Sequence, residues 1–216
     1  MQKLLQKKHN ININHKALLK IMKEHGLQAV IRRKKPKMWS LKDQTFKQNI
    51  LNREFVSDKP NEKYVTDITY LPTTGGTYYL SAVMDLYNRK IVSYKVSKRA
   101  DSSLSVDVIE SLSKKVQLKN AIIHSDQGVH YTCNDYTKLL KGKNVIQSMS
   151  RRGNCWDNAI IENFFGHFKC ECFKLRKRAM KSFEDVKKII DEYLYFYNNE
   201  RLNSTLGYVT PSEYKG

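Results

Sequence analysis

Three acidic side chains stand where their neighbours favour apolar or neutral residues. Asp67 lies inside the β-rich run KYVTDITYLPT (63–73), on one strand face with Val65, Thr69 and Leu71, and aspartate is disfavoured at mid-strand. Asp126 closes the apolar run NAIIHSD (120–126), at the carboxyl end of a buried strand, where α/β sheets build ligand sites. Glu162 breaks the helical stripe of Ala159, Ile160, Ile161, Phe164 and Phe165. Each acid alone also has an ordinary reading: a solvated edge residue, a turn or helix cap, a paired surface acid. Brought together, three carboxylates repel and tend to lose their charge, and a divalent cation resolves that conflict. Magnesium is a hard ion that takes oxygen ligands, often one or two carboxylates plus substrate phosphate. Two such ions, about 3.5–4 Å apart, serve an in-line phosphoryl displacement by activating the attacking oxygen and stabilising the leaving one. On this reading Asp67 bridges two Mg2+ ions, with Mn2+ as a substitute, and Asp126 and Glu162 each complete one.

The elements that must position these acids follow from periodicity. Residues 63–73, TYYLSAVMDL (77–86) and IVSYKVS (91–97) alternate as strands of an antiparallel meander, joined by turns at 73–76 and 87–90. DSSLSVDVIESLSKKV (101–116) places Leu104, Val108, Ile109, Leu112 and Val116 on one helix face. A fourth strand (120–126), a helix capped by Asn134 and running to about Lys141, and a fifth strand NVIQSMS (144–150) come next. Asp157 is expected to cap the helix that carries Glu162, and Ser182 with Asp185 forms a capping box before a last long helix. The order β-β-β-α-β-α-β-α-α predicts a mixed five-stranded α/β sheet with helices on both faces. Ahead of it, Asn14 and Gly26 bracket a short helix with Leu18, Leu19, Ile21 and Met22 on its apolar side. The expected organisation is a helical segment over 1–31, a basic linker over 32–62, the core over 63–200 and an extension over 201–216.

The chain of 216 residues carries a formal charge of +18. Residues 1–59 hold 15 Lys or Arg against 4 Asp or Glu, so the positive field is concentrated at the N-terminal side. Such a field attracts polyanions, nucleic acid above all, and Arg32, Arg33, Lys34 and Lys35 are candidate phosphate contacts. No apolar run is long enough for a membrane span and no secretory signal is visible, which points to a cytoplasmic protein. Cys133, Cys155, Cys170 and Cys172 have neither a disulfide framework nor the paired knuckles of a zinc site.

VTDITY, IIHSDQGVHYT and SMSRRGNCWDNAIIENFFGHFK together resemble the three catalytic blocks of bacterial insertion-sequence transposases of the two-reading-frame kind, the insertion sequence three family. HKALLKIMKEHGLQA resembles that family's helix-turn-helix-like region, and FYNNERLNSTLGYVTPSEY its C-terminal signature. The resemblance implies a retroviral-integrase core with an RNase H-like fold and an Asp, Asp, Glu triad. The family has 35 residues between the last two acids and a Lys or Arg seven residues beyond the Glu. Asp126 and Glu162 are separated by 35 residues, and Lys169 stands at the basic position. Tyr64 replaces a common Trp, and Asn203 a common His.

The implied activity is metal-dependent DNA strand cleavage and strand transfer, with water and then a DNA 3′-hydroxyl as nucleophile. No covalent protein–DNA intermediate is implied, so no tyrosine nucleophile is sought. The implied partners are the element's terminal repeats and target DNA, bound by a homo-oligomer at the nucleoid. Arg151, Arg152 and Lys169 are candidate phosphate contacts, and Gln127 and Asn163, with Ser125 and His130, candidate positioning groups. His124 reads as a core histidine, and Trp156 as either a stacking or a core residue. Family members usually carry sequence ahead of the Asn14 helix and act as fusions with an upstream reading frame. A truncated or second-frame product is therefore expected, and a non-catalytic DNA-binding regulator of transposition is the alternative function. A nuclease acting on RNA–DNA hybrids fits the spacing and Lys169 less well.

Overall fold

The computed structural model describes residues 1–27 and 47–216. Arg32, Arg33, Lys34 and Lys35 lie outside the described residues. Two helices lead, α1 (Gln2–His9) and α2 (His15–Glu24). The second starts where Asn14 accepts the Lys16 amide at 2.9 Å, and Gly26 follows its end with φ +66°. Of its expected apolar side only Leu18 is buried, and Leu19 and Ile21 are exposed. Helix α1 was not foreseen, because QKLLQKKH has almost no apolar face. Its Lys7 pairs with Glu213 at 2.6 Å, far along the chain.

The described part of the expected linker is laid against the sheet. Leu51 is buried in the core, and the Ser148 hydroxyl accepts the Ile50 and Leu51 amides at 2.9 and 3.0 Å. The Gln48 and Glu62 carbonyls extend the ladder at Met149 and Ile122.

The sheet comprises β1 (Lys63–Thr73), β2 (Gly76–Asp85), β3 (Ile91–Ser97), β4 (Ile122–Ser125) and β5 (Ile146–Met149), in the order β3-β2-β1-β4-β5. The first three strands pair antiparallel, while β1–β4 and β4–β5 are parallel. Helices α3 (Ser102–Ser113), α4 (Val129–Thr132) and α5 (Asn134–Gly142) lie on one side, and α6 (Ala159–Phe168) and α8 (Phe183–Asn199) on the other. The three-residue α7 (Lys174–Arg176) continues α6 beyond a π-helical stretch at Lys169–Phe173.

Strand alternation divides the core. Val65 and Leu71 of β1 pack with Ile161, Phe164, Phe165, Phe168, Val186 and Ile190, whereas Tyr64 and Ile68 face Val108, Ile109, Leu112 and Leu140. Burial of each large apolar side chain stabilises by roughly 1.5–3 kcal/mol, so Phe164 and Phe168 fix α6 firmly on the sheet. The β1–β2 hairpin is held to the start of α8 at Gly75. A Cβ there would run into the Lys181 carbonyl, so only glycine permits this approach.

Two expected caps differ. Asn134 is the first residue of α5, and Cys133 holds the position before it. Asp157 does not cap α6. It lies in a short 3-10 turn, Cys155–Asn158, and its carboxylate turns inward to a different task. The capping box of α8 is present as expected, with Ser182 accepting the Asp185 amide at 3.1 Å.

Candidate active site

Parallel pairing matches Val65 with His124. Two residues further along each chain segment stand Asp67, in the middle of β1, and Asp126, just past the carboxyl end of β4, so the two acids emerge abreast. Here the sheet changes from antiparallel to parallel pairing. Asp67 points to the α6 side, between the buried Val65 and Leu71. From α6 comes the half-buried Glu162. Burial is the largest influence raising the Asp67 pKa well above the ordinary carboxylate value, and the Asp126 charge is the next. The Ile68 amide, donating to Asp67 Oδ1 at 2.7 Å, pulls the other way; Glu162 adds to the rise and Lys169 opposes it. The four charged groups thus share one field.

Asp126 stands at the open side of the cleft, yet the protein behind it raises its pKa by desolvation. The Gly128 amide, donating at 2.9 Å, and the nearby His130 work against that rise. A Cβ on Gly128 would come within 2.9 Å of Asp126 Oδ1, so a larger residue there would push the carboxylate aside. The Ser125 hydroxyl donates to the Asp126 carbonyl at 2.9 Å. Beneath the pair lies Tyr131, fully buried, whose hydroxyl is held protonated by burial first and by the Asp67 charge next. Gln127 is half-buried beside Asp126. Among the described residues, no three His, Cys, Asp or Glu side chains are gathered tightly enough to grip one ion.

Lys169, seven residues beyond Glu162, sits with its ammonium 5.0 Å from the centroid of the Tyr70 ring. Tyr70 lies on β1 three residues after Asp67 and is exposed. The helix changes to π geometry at Lys169, as helices often do at functional positions.

The loop before α6 is organised by Asp157, which is fully buried. Its carboxylate accepts from Arg151 at 2.8 and 2.9 Å, from the Arg151 amide at 2.9 Å, from Arg53 at 2.7 Å and from Asn49 at 2.9 Å. The Arg151 hydrogen bonds are the main cause holding its pKa far below the usual carboxylate range. Arg151, a candidate phosphate contact, is therefore engaged in fixing the start of α6, while Arg152 lies exposed in the same turn. Trp156 is exposed, not in the core. His124 is a core residue as expected: fully buried, 2.8 Å from the Ser148 hydroxyl, and lowered to about 4 by burial.

Asn163 is one residue from Glu162 but turned about 100° around the helix. It lines a cavity with Arg89, His167 and Arg201. Sequence reasoning passed over Tyr70, Gly128 and Tyr131, and gave Asp157 the wrong task. Only Gly128, two residues after an acid in SDQG, left a local signal.

The sequence matches families described as Integrase core domain over residues 57–155 and 143–211, and as HTH-like domain over residues 1–35. It is 37% identical over 204 residues to the protein named InsK of insertion sequence element IS150 in Escherichia coli (strain K12), covering 94% of this chain and 71% of the relative. Identity is 34% to the transposase for insertion sequence element IS904 of Lactococcus lactis, covering 96% and 83%. It is 32% to the transposase InsF for insertion sequence IS3A of Escherichia coli (strain K12), covering 94% and 70%. Among solved structures, the HTLV-2 integrase catalytic core domain in complex with magnesium superposes with a TM-score of 0.55 at 15% identity, over 72% of this chain and 96% of that one. A chain of the simian T-cell lymphotropic virus intasome matches with a TM-score of 0.61 at 15% identity, over 99% of this chain and 73% of that one. These neighbours and the strand order β3-β2-β1-β4-β5 identify the sheet as RNase H-like. The chain belongs to the insertion-sequence transposases built on an integrase core domain.

Proposed function

We propose that the chain cleaves DNA at the ends of its insertion sequence and joins them to target DNA, with Asp67, Asp126 and Glu162 as its catalytic carboxylates. The observation that carries this reading is the meeting of Asp67, Asp126 and Glu162 within one field, because a buried acid surrounded by other acids is a site made for a cation. The all-oxygen donor set suits Mg2+, with Mn2+ as a substitute. Asp67 would be shared between two ions, with Asp126 and Glu162 each serving one. Bound there, magnesium supplies Lewis-acid stabilisation of the attacking and leaving oxygens.

The chain's own residues do the rest. Lys169, steadied over Tyr70, offsets charge on the phosphate that enters the cleft. The exposed Arg152 and the basic run Arg32, Arg33, Lys34 and Lys35 contact the DNA backbone, and Gln127 orients the group beside Asp126. In the first step water attacks the phosphorus at the element's end, the bond to the 3′ oxygen breaks, and that oxygen leaves as a hydroxyl. In the second, this hydroxyl attacks a target phosphodiester and displaces its 3′ oxygen. Joining two ends calls for a homo-oligomer on DNA, in the bacterial nucleoid. Among the described residues no helix is long and apolar enough to cross a membrane.

The test uses the purified chain and duplexes carrying the element's own terminal repeats, with Mg2+ or Mn2+. Nicked and joined products are expected, and Glu162→Gln abolishes them while the protein stays folded. Undiminished metal-dependent products from Glu162→Gln would remove Glu162 from the mechanism. Salt-sensitive DNA binding without cleavage under either metal assigns the regulatory role instead.

A further inference from the structure

Helix α6 has a second functional-looking face. Ile160, Asn163, Phe164 and His167 recur at i, i+3, i+4 and i+7, and all four line a cavity of about 370 Å³ between the helix and residues 201–208. Glu162 and Lys169 lie on the neighbouring face, about a third of a turn away.

The far wall of this cavity holds Arg89, from the β2–β3 turn. Its backbone adopts φ +60°, an uncommon conformation for a residue other than glycine, asparagine or aspartate. Two contacts hold it there: the Tyr197 hydroxyl donates to its carbonyl at 3.2 Å, and its Nη2 donates to the Phe55 carbonyl at 2.9 Å. The residue is only 9% exposed, and Nη1 is buried with no hydrogen-bond partner among the described residues. No described carboxylate forms an ion pair with it, whereas Arg201 beside it is neutralised by Glu171 at 2.7 Å. A buried guanidinium without a counter-charge is costly, and this one lines a cavity that is open to solvent. Round it stand the Asn163 amide, the His167 ring and the exposed hydroxyl residues Ser204 and Thr205. These groups offer hydrogen bonds to an anion, and none of the described residues lining the cavity is acidic.

We infer that this cavity is a phosphate-binding pocket, in which Arg89 receives a backbone phosphodiester of DNA on the side of α6 away from Glu162. Arginine's planar fork suits phosphate oxygens. The source is DNA rather than a free anion because the pocket shares its helix with the catalytic cleft, in a chain of net charge +18. The inference rests on the DNA-joining function proposed above. A duplex held at both faces of α6 would have its scissile phosphate registered against Glu162.

The experiment compares the full chain with Arg89→Gln and with Thr205→Glu, which keeps Arg89 and sets a carboxylate at the pocket mouth. Inorganic phosphate should raise the wild-type Tm by about 2 °C at saturating concentration and leave both variants unmoved. In duplex titrations across salt, the slope of log K against log salt should become shallower by about 0.9 in both variants, the value for one phosphate. Equal phosphate protection of wild type and Thr205→Glu overturns the pocket. Phosphate protection that depends on Arg89, with an unchanged salt slope, overturns the DNA assignment in favour of a free anion. The strand-cleavage assay on wild type separates the two readings. Cleavage with an unchanged slope sinks the DNA assignment of the pocket alone, and a changed slope without cleavage sustains the pocket while the catalytic role falls.

Discussion

Asp157 sits in the turn that leads into α6 and Asp67 on the strand that α6 faces, and the protein treats them oppositely. Around Asp157 it assembles two guanidiniums, an amide side chain and a backbone N–H, and the pKa falls. Around Asp67 it places burial and two further acids, and the pKa rises. Glu171, at the far end of the same helix system, repeats the first pattern. Burial alone would raise it, but hydrogen bonds from His167, Arg201 and Tyr193 outweigh that and hold it at about 2. The fold therefore has arginines enough to neutralise buried acids, and it spends them on holding α6 in place. At the cleft the negative charge is left for something that arrives from outside.

The contrast can be broken most severely at the cleft. Asp67→Asn or Glu162→Gln should lower strand cleavage by at least about a thousandfold, the scale expected when one member of a catalytic unit is lost. Asp67→Asn should also leave Tm unchanged or raise it at neutral pH, because it removes a repelled charge. A fall in Tm of several degrees would show that Asp67 is structural. Asp157→Ala inverts that outcome. It strands two half-exposed arginines and empties a buried site, costing about 2 kcal/mol after discounting for their solvent exposure, as read by urea unfolding. Cleavage per folded molecule then falls less than stability does.

A smaller effect is expected at Gly128. Gly128→Ala pushes the Asp126 carboxylate aside and should reduce cleavage about tenfold, near 1.4 kcal/mol, with little change in Tm. The smallest effect lies at Glu171. Its folded pKa is depressed, so its stabilisation is present above the unfolded value of 4.5 and is lost as pH falls toward about 2. Glu171→Gln should cost below about 1 kcal/mol at pH 7, and the difference from wild type should close as unfolding is measured toward pH 2.

The strands, the Ser182 capping box and the Asn14 cap were legible because each is written within a few residues. Asp67, Asp126 and Glu162 were legible as anomalies, each breaking the pattern around it. The Asp157 network was not, since Arg53 and Asn49 stand 104 and 108 residues away in a stretch whose polar sequence reads as linker. Helix α4, with four residues, is barely one turn and too short for a period to repeat. Asn163 misled by adjacency: neighbours in a helical sequence face different ways, and its side chain belongs to the Arg89 cavity rather than to the acids.

The π-helical stretch at Lys169–Phe173 has a consequence for the chain's tolerance of insertions and deletions. It acts as a one-residue spacer between two requirements: Glu162 and Lys169 toward the cleft on one side, Cys172 and Phe173 into the core and Glu171 to Arg201 on the other. Loss of a single codon there would let the helix run on as a regular α-helix. The residues downstream would keep their faces relative to the acids, because the π stretch takes up one residue more than a regular helix over the same rotation. A codon lost from the regular turns of α6 would instead swing everything downstream by about 100°, leaving the catalytic residues encoded in order while the helix could satisfy only one of its two halves.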